Sequence, residues 1–388
     1  MDRMVGVFLE RTDWDIRILT TTPADPDSYV GTSGLPESCI TRVPPDSELG
    51  FAYALDWTPH YSAWLDSLGH IDLVVFASPA TYYLRNMHRG ILERIYETTR
   101  HRGLTFGFIH YDLNLATNAF LAERRIAGKD WDAASQEFMD LARDLHDEDR
   151  WDEFCHHYEL PSVHQPDFMI SCSEWSLKHL DPLGHVPSRL AFHPLMDFDA
   201  YADRHPSFDG TDYQVGFINP IAFKGRAVAY DSACTLRDLR HVWLKGGHSD
   251  ASKVHFMDIV QKTQDQGLCE INVVRFVPDI RSFFGSLAND GMFLFPSRFE
   301  GYGMAPIEAM ACGIPVVSTD HPATVEGVGD AALLMSPFAS SDDWNSAIET
   351  ILDERERWIS AGFVRVRQLA ERQEREVDEL ISFIEGLL

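Results

Sequence analysis

The chain has 388 residues, 45% of them hydrophobic and 24% charged, and a formal net charge of −27. That length exceeds one typical core, so two domains are expected, and the composition is that of an ordinary globular protein. A surface this acidic argues against nucleic acid and against anionic membrane as main partners.

The basic side is unusual, with six lysines against 27 arginines. Two explanations stay open, adaptation to a high-salt cytoplasm and an arginine-rich coding bias, and stability in low and in molar salt tells them apart. The start, MDRMVGVFLERTDWD, lacks the basic opening and small-residue cleavage site of a signal peptide. No apolar run approaches the roughly eighteen residues of a spanning helix, so a cytoplasmic protein is expected, with nothing to indicate membrane association. The six cysteines (39, 155, 172, 234, 269 and 312) show no close pair at metal or redox spacing and read as reduced thiols. Cys155, His156 and His157 are adjacent, but neighbouring residues of a helix face different ways, which disfavours a metal site there.

In chain order, a helical opening precedes the strand-like run DIRILTTT (15–22). IDLVVFAS (71–78), LTFGFIHY (104–111) and FMISCS (168–173) follow, with an acid- and tryptophan-rich helical stretch over 115–163. Then come YQVGFIN (213–219), HVWLKGG (241–247), INVVRFV (271–277), MFLFPS (292–297), IPVVST (314–319) and ALLMS (332–336). Several are continuous apolar runs, as expected of parallel strands covered on both faces, and helical patterns fill the gaps. The pattern predicts an α/β protein of two doubly wound, Rossmann-like parallel-sheet domains facing a cleft. The Asp-, Pro- and Gly-rich stretch over 185–212 reads as the linker between them. The domains are set at 1–195 and 196–362, followed by a terminal helix over 363–388 for which packing back on the first domain is one arrangement. Its expected buried positions are Phe363, Val366, Leu369, Val377, Leu380 and Ile384.

The chemistry concentrates in EGYGMAPIEAMACGIPVV (300–317). Glu300 follows a strand, Gly301 and Gly303 permit a sharp turn, Pro306 suits the first turn of a helix, and Glu308 falls on that helix. Free N–H groups at a glycine turn and helix N-terminus make an anion site suited to a diphosphate. A carboxylate beside such a site accepts hydrogen bonds from hydroxyls, and a sugar joined to a nucleoside diphosphate has hydroxyls at both ends. The plain alternative is a helix start decorated with glutamate, worth about 0.3–1 kcal/mol. It suits either glutamate alone better than it suits the whole string.

FPSRFEGYGMAPIEAMACGIPVVST resembles the signature of the retaining glycosyltransferases of family 4, a family with the two-domain GT-B fold. The hallmark Glu, seven residues, Glu falls on Glu300 and Glu308. FINPIAFKG (217–225), LKGGHSD, VRFVPDIRSFFGSLANDGMFLFPS and VEGVGDAALLMSP extend the likeness over about 185–352. The resemblance implies transfer of a sugar, with retention, from a nucleotide-sugar donor to a glycan, lipid-linked or small-molecule acceptor. It implies no cofactor and no metal. It makes the first domain the acceptor side and the second the donor side.

By that resemblance Glu308 holds the ribose and Glu300 the transferred sugar, the backbone of Gly301, Gly303 and Met304 approaches the donor, and Lys224 neutralises the departing diphosphate. His110, at the end of GFIHYDLN with Asp112 close by, would reach the transferred sugar; a packed or capping histidine is the plain alternative. For Lys224 that alternative is a solvated turn lysine. Two departures stand out. The family's arginine before the Lys-Gly turn is replaced by Asn219, with Arg226 the neighbouring candidate for its charge. The family's first strand and glycine-rich loop would stand immediately before MDRMVGVFLERTDW, so the chain is expected to begin inside the helix that follows them, and either translation starts upstream or the chain has lost the element. The departures motivate a rival reading, a catalytically impaired donor-binding homologue acting as partner subunit or nucleotide-sugar sensor.

Overall fold

Apolar runs without in-out alternation must be covered on both faces, and the computed structural model shows how. It describes residues 2–20, 35–42, 58–77, 89–110, 120, 124, 127–128, 131–147, 150, 153–154, 157, 166–179, 186–203, 205–245 and 251–388. Among these residues lie twelve strands. They are β1 (Ile18–Thr20), β2 (Ile40–Arg42), β3 (Leu73–Ala77), β4 (Thr105–His110), β5 (Phe168–Ser171), β6 (Ser188–Ala191), β7 (Val215–Ile218), β8 (His241–Leu244), β9 (Ile271–Val274), β10 (Met292–Phe295), β11 (Val316–Thr319) and β12 (Leu333–Met335). Every expected run holds a strand. Two strands, β2 and β6, were not anticipated. All pairings are parallel, so the α/β class with parallel sheets stands. No helix among the described residues is long and apolar enough to cross a membrane.

The chain divides into two units, and the division differs from the sequence reading. Unit 1 comprises Met1–Gly128, Asp149–Met196 and Gln373–Leu388; unit 2 comprises Lys129–Glu148 and Asp197–Arg372. The stretch 129–148 thus leaves the domain set at 1–195, because its helix Trp131–Asp147 sets Phe138 edge-on against Phe299, ring centroids 5.5 Å apart. The terminal helix set at 363–388 does pack on residues of unit 1 through Val377, Leu380 and Ile384, but it starts earlier than expected. One helix runs from Arg355 to Glu385, and it passes from unit 2 into unit 1.

In unit 1, β3, β4, β5 and β6 lie side by side in that order, and β1 pairs with β2 apart from them. Side chains alternate along β4. Phe106 and Phe108 pack with Tyr61, Leu65 and Ile95, while Ile109 joins Met4, Phe168, Phe192, Val377, Leu380 and Ile384 on the other face. Between the two phenylalanines Gly107 leaves room for the Phe168 ring, which lies 2.0 Å from where its Cβ would be. The end of the last helix is fixed further by Gln373, whose amide accepts from Met196 N (2.7 Å) and donates to Met196 O (3.0 Å). Phe363 departs from expectation. It is 47% exposed, its ring lying over Gly313, while Leu369, Val377, Leu380 and Ile384 are buried and Val366 is half-buried.

Unit 2 is one six-stranded sheet ordered β12-β11-β10-β7-β8-β9. The chain builds outward from β7 to β9, then returns to the other side of β7 to place β10, β11 and β12. That reversal makes a topological switch point between β7 and β10, where the carboxyl ends of doubly wound sheets bind ligands. One face is covered by helices Arg226–Thr235 and Ser341–Asp353, through Val228, Ala229, Trp344 and Ile348. Ser340 starts the second of these helices with a reciprocal capping box to Asp343. The opposite face carries Phe284, edge-on to Phe293 at 5.4 Å.

His241, on β8, is only 2% exposed, and burial pulls its imidazole down from 6.5 to about 4. The folded chain keeps this ring neutral between pH 6.5 and 4, whereas the unfolded chain protonates it. Stability should therefore fall as pH falls through that window, by up to about 3 kcal/mol from this one group. Urea unfolding of His241→Leu at pH 7 and pH 4.5 should show a smaller acid loss than the parent. Equal losses would contradict the assignment.

Candidate functional site

The candidate residues of unit 2 gather at the switch point because two turns deliver them there. Just past the end of β7 stands Asn219, the one non-glycine residue with positive φ (61°) among the described residues, a conformation asparagine tolerates better than most. Its N–H donates to Leu244 O (2.8 Å) and its carbonyl accepts from Ile221 N (2.7 Å). The turn leads into a short 3-10 segment, Ala222–Lys224, closed by Gly225 at φ 76°. A Cβ on Gly225 would lie 2.1 Å from the Pro296 carbonyl oxygen. Glycine alone therefore lets the Lys-Gly turn lie against the backbone just beyond β10.

That approach forms the central contact. The Lys224 ammonium donates to Glu300 Oε1 in an ion pair between residues 76 positions apart, with side chains 27% and 8% exposed. Lys224 Nζ also lies 6.0 Å from the Phe295 ring centroid. Removing either partner would leave the other charge poorly compensated in a water-poor setting, a strongly unfavourable outcome. Arg226 is the first residue of the helix that follows Gly225. The buried Asn219 Oδ1 has no hydrogen-bond partner among the described residues.

Beyond Glu300 the chain passes through Gly301 and Gly303 into helix Met304–Ala311. Only Gly303 needs glycine's freedom, with φ 84°; Gly301 is not at positive φ. Gly303 occupies the N-cap position and no side chain caps this helix, while Pro306 in the first turn brings no N–H of its own. The amides at the start of this eight-residue helix lack the usual side-chain acceptor, which suits an anion. Glu308 sits within the helix, half-buried, and its Oε1 accepts from the Tyr201 hydroxyl at 2.9 Å.

Around Glu308 lie groups the sequence did not single out. Arg281 holds the Asp279 carboxyl below the ordinary carboxylate range through hydrogen bonds from Nε of 2.8 Å to each oxygen. The same guanidinium donates to Ala200 O at 2.7 Å. Burial first, then the Glu308 and Asp279 carboxylates, push the Cys312 thiol up to about 12, so it stays neutral and unreactive at neutral pH. Five cysteines (39, 172, 234, 269 and 312) are free, and the Cys155–His156–His157 cluster is not fully among the described residues. His110 is the last residue of β4, in unit 1; its side chain and Asp112 lie outside what is described.

The structure therefore brings Lys224 to Glu300, sets Asn219 and Arg226 on either side of the Lys-Gly turn, and places Glu308 on the helix that Gly303 begins. Tyr201, Asp279 and Arg281 were missed. Tyr201 lies in an Asp- and Pro-rich stretch read as a linker, and no spacing marks it; the Asp-x-Arg at 279–281 is an ordinary helix-capping pattern.

The fold is that of a two-unit α/β protein with parallel sheets, the GT-B architecture. Residues 261–364 match the family model described as Glycosyl transferases group 1. That segment contains Glu300, Glu308 and the glycine turn, and it ends short of Lys224 on the N-terminal side. The lipopolysaccharide core biosynthesis mannosyltransferase LpsB of Rhizobium meliloti is 28% identical over 218 residues, 51% of this chain. The aligned part spans 59% of that relative's length. A sucrose-phosphate synthase from Thermosynechococcus elongatus superposes with TM-score 0.66 at 15% identity, over 99% of this chain and 92% of that one. HepE of Anabaena, solved with UDP, superposes with TM-score 0.60 at 13% identity, over 89% and 86%. Identities this low establish the fold, two Rossmann-like units, and leave the chemistry to the residues themselves.

The Gly225 turn yields a comparison of two glycines. Gly210 also has positive φ (77°) but nothing within 4 Å of a would-be Cβ. Gly210→Ala should cost only the left-handed penalty of about 1–2 kcal/mol. Gly225→Ala adds the overlap with Pro296 and should cost clearly more. Denaturant unfolding of the two variants checks the order, and equal losses would contradict the close approach.

Proposed function

We propose that this protein is a retaining, metal-independent glycosyltransferase that takes a hexose or related sugar from a nucleoside-diphosphate sugar and passes it to a glycan, lipid-linked or small-molecule acceptor. The observation that carries the reading is the Lys224–Glu300 pair at the β7/β10 switch point, one turn away from a helix start with no side-chain cap. A cation, a set of backbone amides and two carboxylates on one side of a sheet match a ligand with a charged centre and hydroxyls at both ends. Lys224 and the amides of Gly303 and Met304 take the diphosphate, with Asn219 and Arg226 beside it. Glu300 takes hydroxyls of the transferred sugar, and Glu308 those of the ribose. UDP in the HepE structure supports a nucleotide donor, and the mannosyltransferase LpsB makes mannose the first sugar to test and a growing glycan the first acceptor.

In this reading the bond from the anomeric carbon to the β-phosphate oxygen breaks through an oxocarbenium-like state. The acceptor hydroxyl attacks on the same face, and its proton passes to a phosphate oxygen that is becoming more basic. Lys224 stabilises charge that grows on the leaving group, and losing such a group typically costs a few kcal/mol in the transition state. The pairing of Lys224 with Glu300 holds both side chains in place before the donor arrives. This account places the positive charge in the protein and asks nothing of a metal ion.

Two substitutions separate the glutamates. Glu300→Gln keeps a hydrogen-bond acceptor for Lys224 while removing the charge, and should abolish transfer with nucleotide affinity nearly intact. Glu308→Ala should weaken nucleotide binding by about 1–3 kcal/mol, the loss of a charge-assisted hydrogen bond. Calorimetry for binding and product analysis for transfer check both. Swapped phenotypes would exchange the two roles, and nucleotide binding by the parent without any turnover would point to a sensor or partner subunit instead.

A further inference from the structure

Glu308 does not stand alone on its helix. Its Oε1 accepts from the hydroxyl of Tyr201, a side chain 7% exposed that comes from the short helix Asp199–Ala202. That helix is tied down in turn. Arg281 donates to the carbonyl of Ala200 at 2.7 Å, and Asp279 grips the same guanidinium while its Oδ1 caps the following helix by accepting from Arg281 N at 2.9 Å. The sequence runs outward from a capped helix, through a charged pair, to a backbone carbonyl, to a buried phenol, and finally to a carboxylate oxygen.

We infer that Tyr201, held through Ala200 by Arg281 and Asp279, is a positioning residue for Glu308 and, through it, for the ribose of the bound nucleotide. The inference rests on the reading of Glu308 as the ribose-binding carboxylate. The chemistry favours a phenol in this place. A neutral O–H donor fixes one carboxylate oxygen without bringing a second charge. Without such a tie a half-buried glutamate has more rotamers open to it, and a ligand would have to order it on binding. Anchoring one oxygen in advance lowers that cost. A lysine or arginine in the same position would hold the carboxylate as firmly but would pair with it and compete with the ribose.

The test is calorimetric and uses the full chain. UDP, GDP and ADP are titrated first, and the one that binds is compared with its 2′,3′-dideoxy counterpart on the parent, Tyr201→Phe and Glu308→Ala. Tyr201→Phe should weaken the ribonucleoside diphosphate about three- to tenfold, the size of one hydrogen bond to a charged group or less. It should leave the dideoxy compound, which has no hydroxyls for Glu308, bound as in the parent. Arg281→Gln, which releases Ala200 instead of the phenol, should show a smaller loss with the same dependence on the ribose hydroxyls. A purely structural role for Tyr201 would weaken both ligands alike, and that result would overturn the inference. So would an unchanged ribonucleotide affinity in Tyr201→Phe when Glu308→Ala does weaken it. If Glu308→Ala binds as the parent does, or if none of the three nucleotides binds, the reading of the site falls and the inference falls with it.

Discussion

The ion pair between Lys224 and Glu300 is the contact on which the candidate site of unit 2 depends. Neither residue could reach the other along the chain; the fold brings them together by reversing strand order between β7 and β10. Even then the turn after β7 must lie against the backbone at Pro296, and only a residue without a Cβ permits it, which is the part played by Gly225. A glycine in the left-handed region, an asparagine at positive φ and a switch point in the sheet are thus parts of one device. It presents a cation and a carboxylate at the edge where strand ends and helix starts converge.

The second carboxylate is arranged differently. Glu308 accepts from the Tyr201 phenol, and it stands on a helix whose N-cap residue, Gly303, offers no side chain as a cap. In the proposed reading the Lys224–Glu300 pair stands where a sugar and a departing phosphate would meet, and the Tyr201–Glu308 bond where hydroxyls would bind. Against a chain of net charge −27, a single lysine in the Lys-Gly turn is a local reversal of sign. With the net charge so negative, short-range contacts rather than long-range steering are expected to select an anionic ligand here.

The sequence revealed the sheet well, because continuous apolar runs between turn residues leave few other structures for a chain of this size. It missed β6 for a physical reason: Ser-Arg-Leu-Ala is short, polar at two of its four positions and not fully buried anywhere. The same polar character made the surrounding stretch look like a linker and hid Tyr201 within it. Phe363 was taken as buried from helical spacing alone, but a helix of 31 residues drifts around its partners, and that position ends on the surface over Gly313. The string around Glu300 and Glu308 was legible because its residue order carries the turn, the helix start and the carboxylates together. The pairing of Glu300 with Lys224 follows from tertiary approach and could not be read from either segment. Nor could the passage of helix Trp131–Asp147 into unit 2, which rests on tertiary contacts such as Phe138 on Phe299 and Arg143 over the Phe338 ring.

The most direct measurement is a calorimetric titration of the purified chain with UDP, GDP and ADP, repeated on Lys224→Ala. The account predicts that one nucleoside diphosphate binds selectively with one site per chain, and that losing the lysine weakens it by roughly tenfold or more, as expected for a charge-assisted contact to phosphate. Binding of none of the three, or binding that ignores the loss of Lys224, would contradict the placement of a donor diphosphate at this turn.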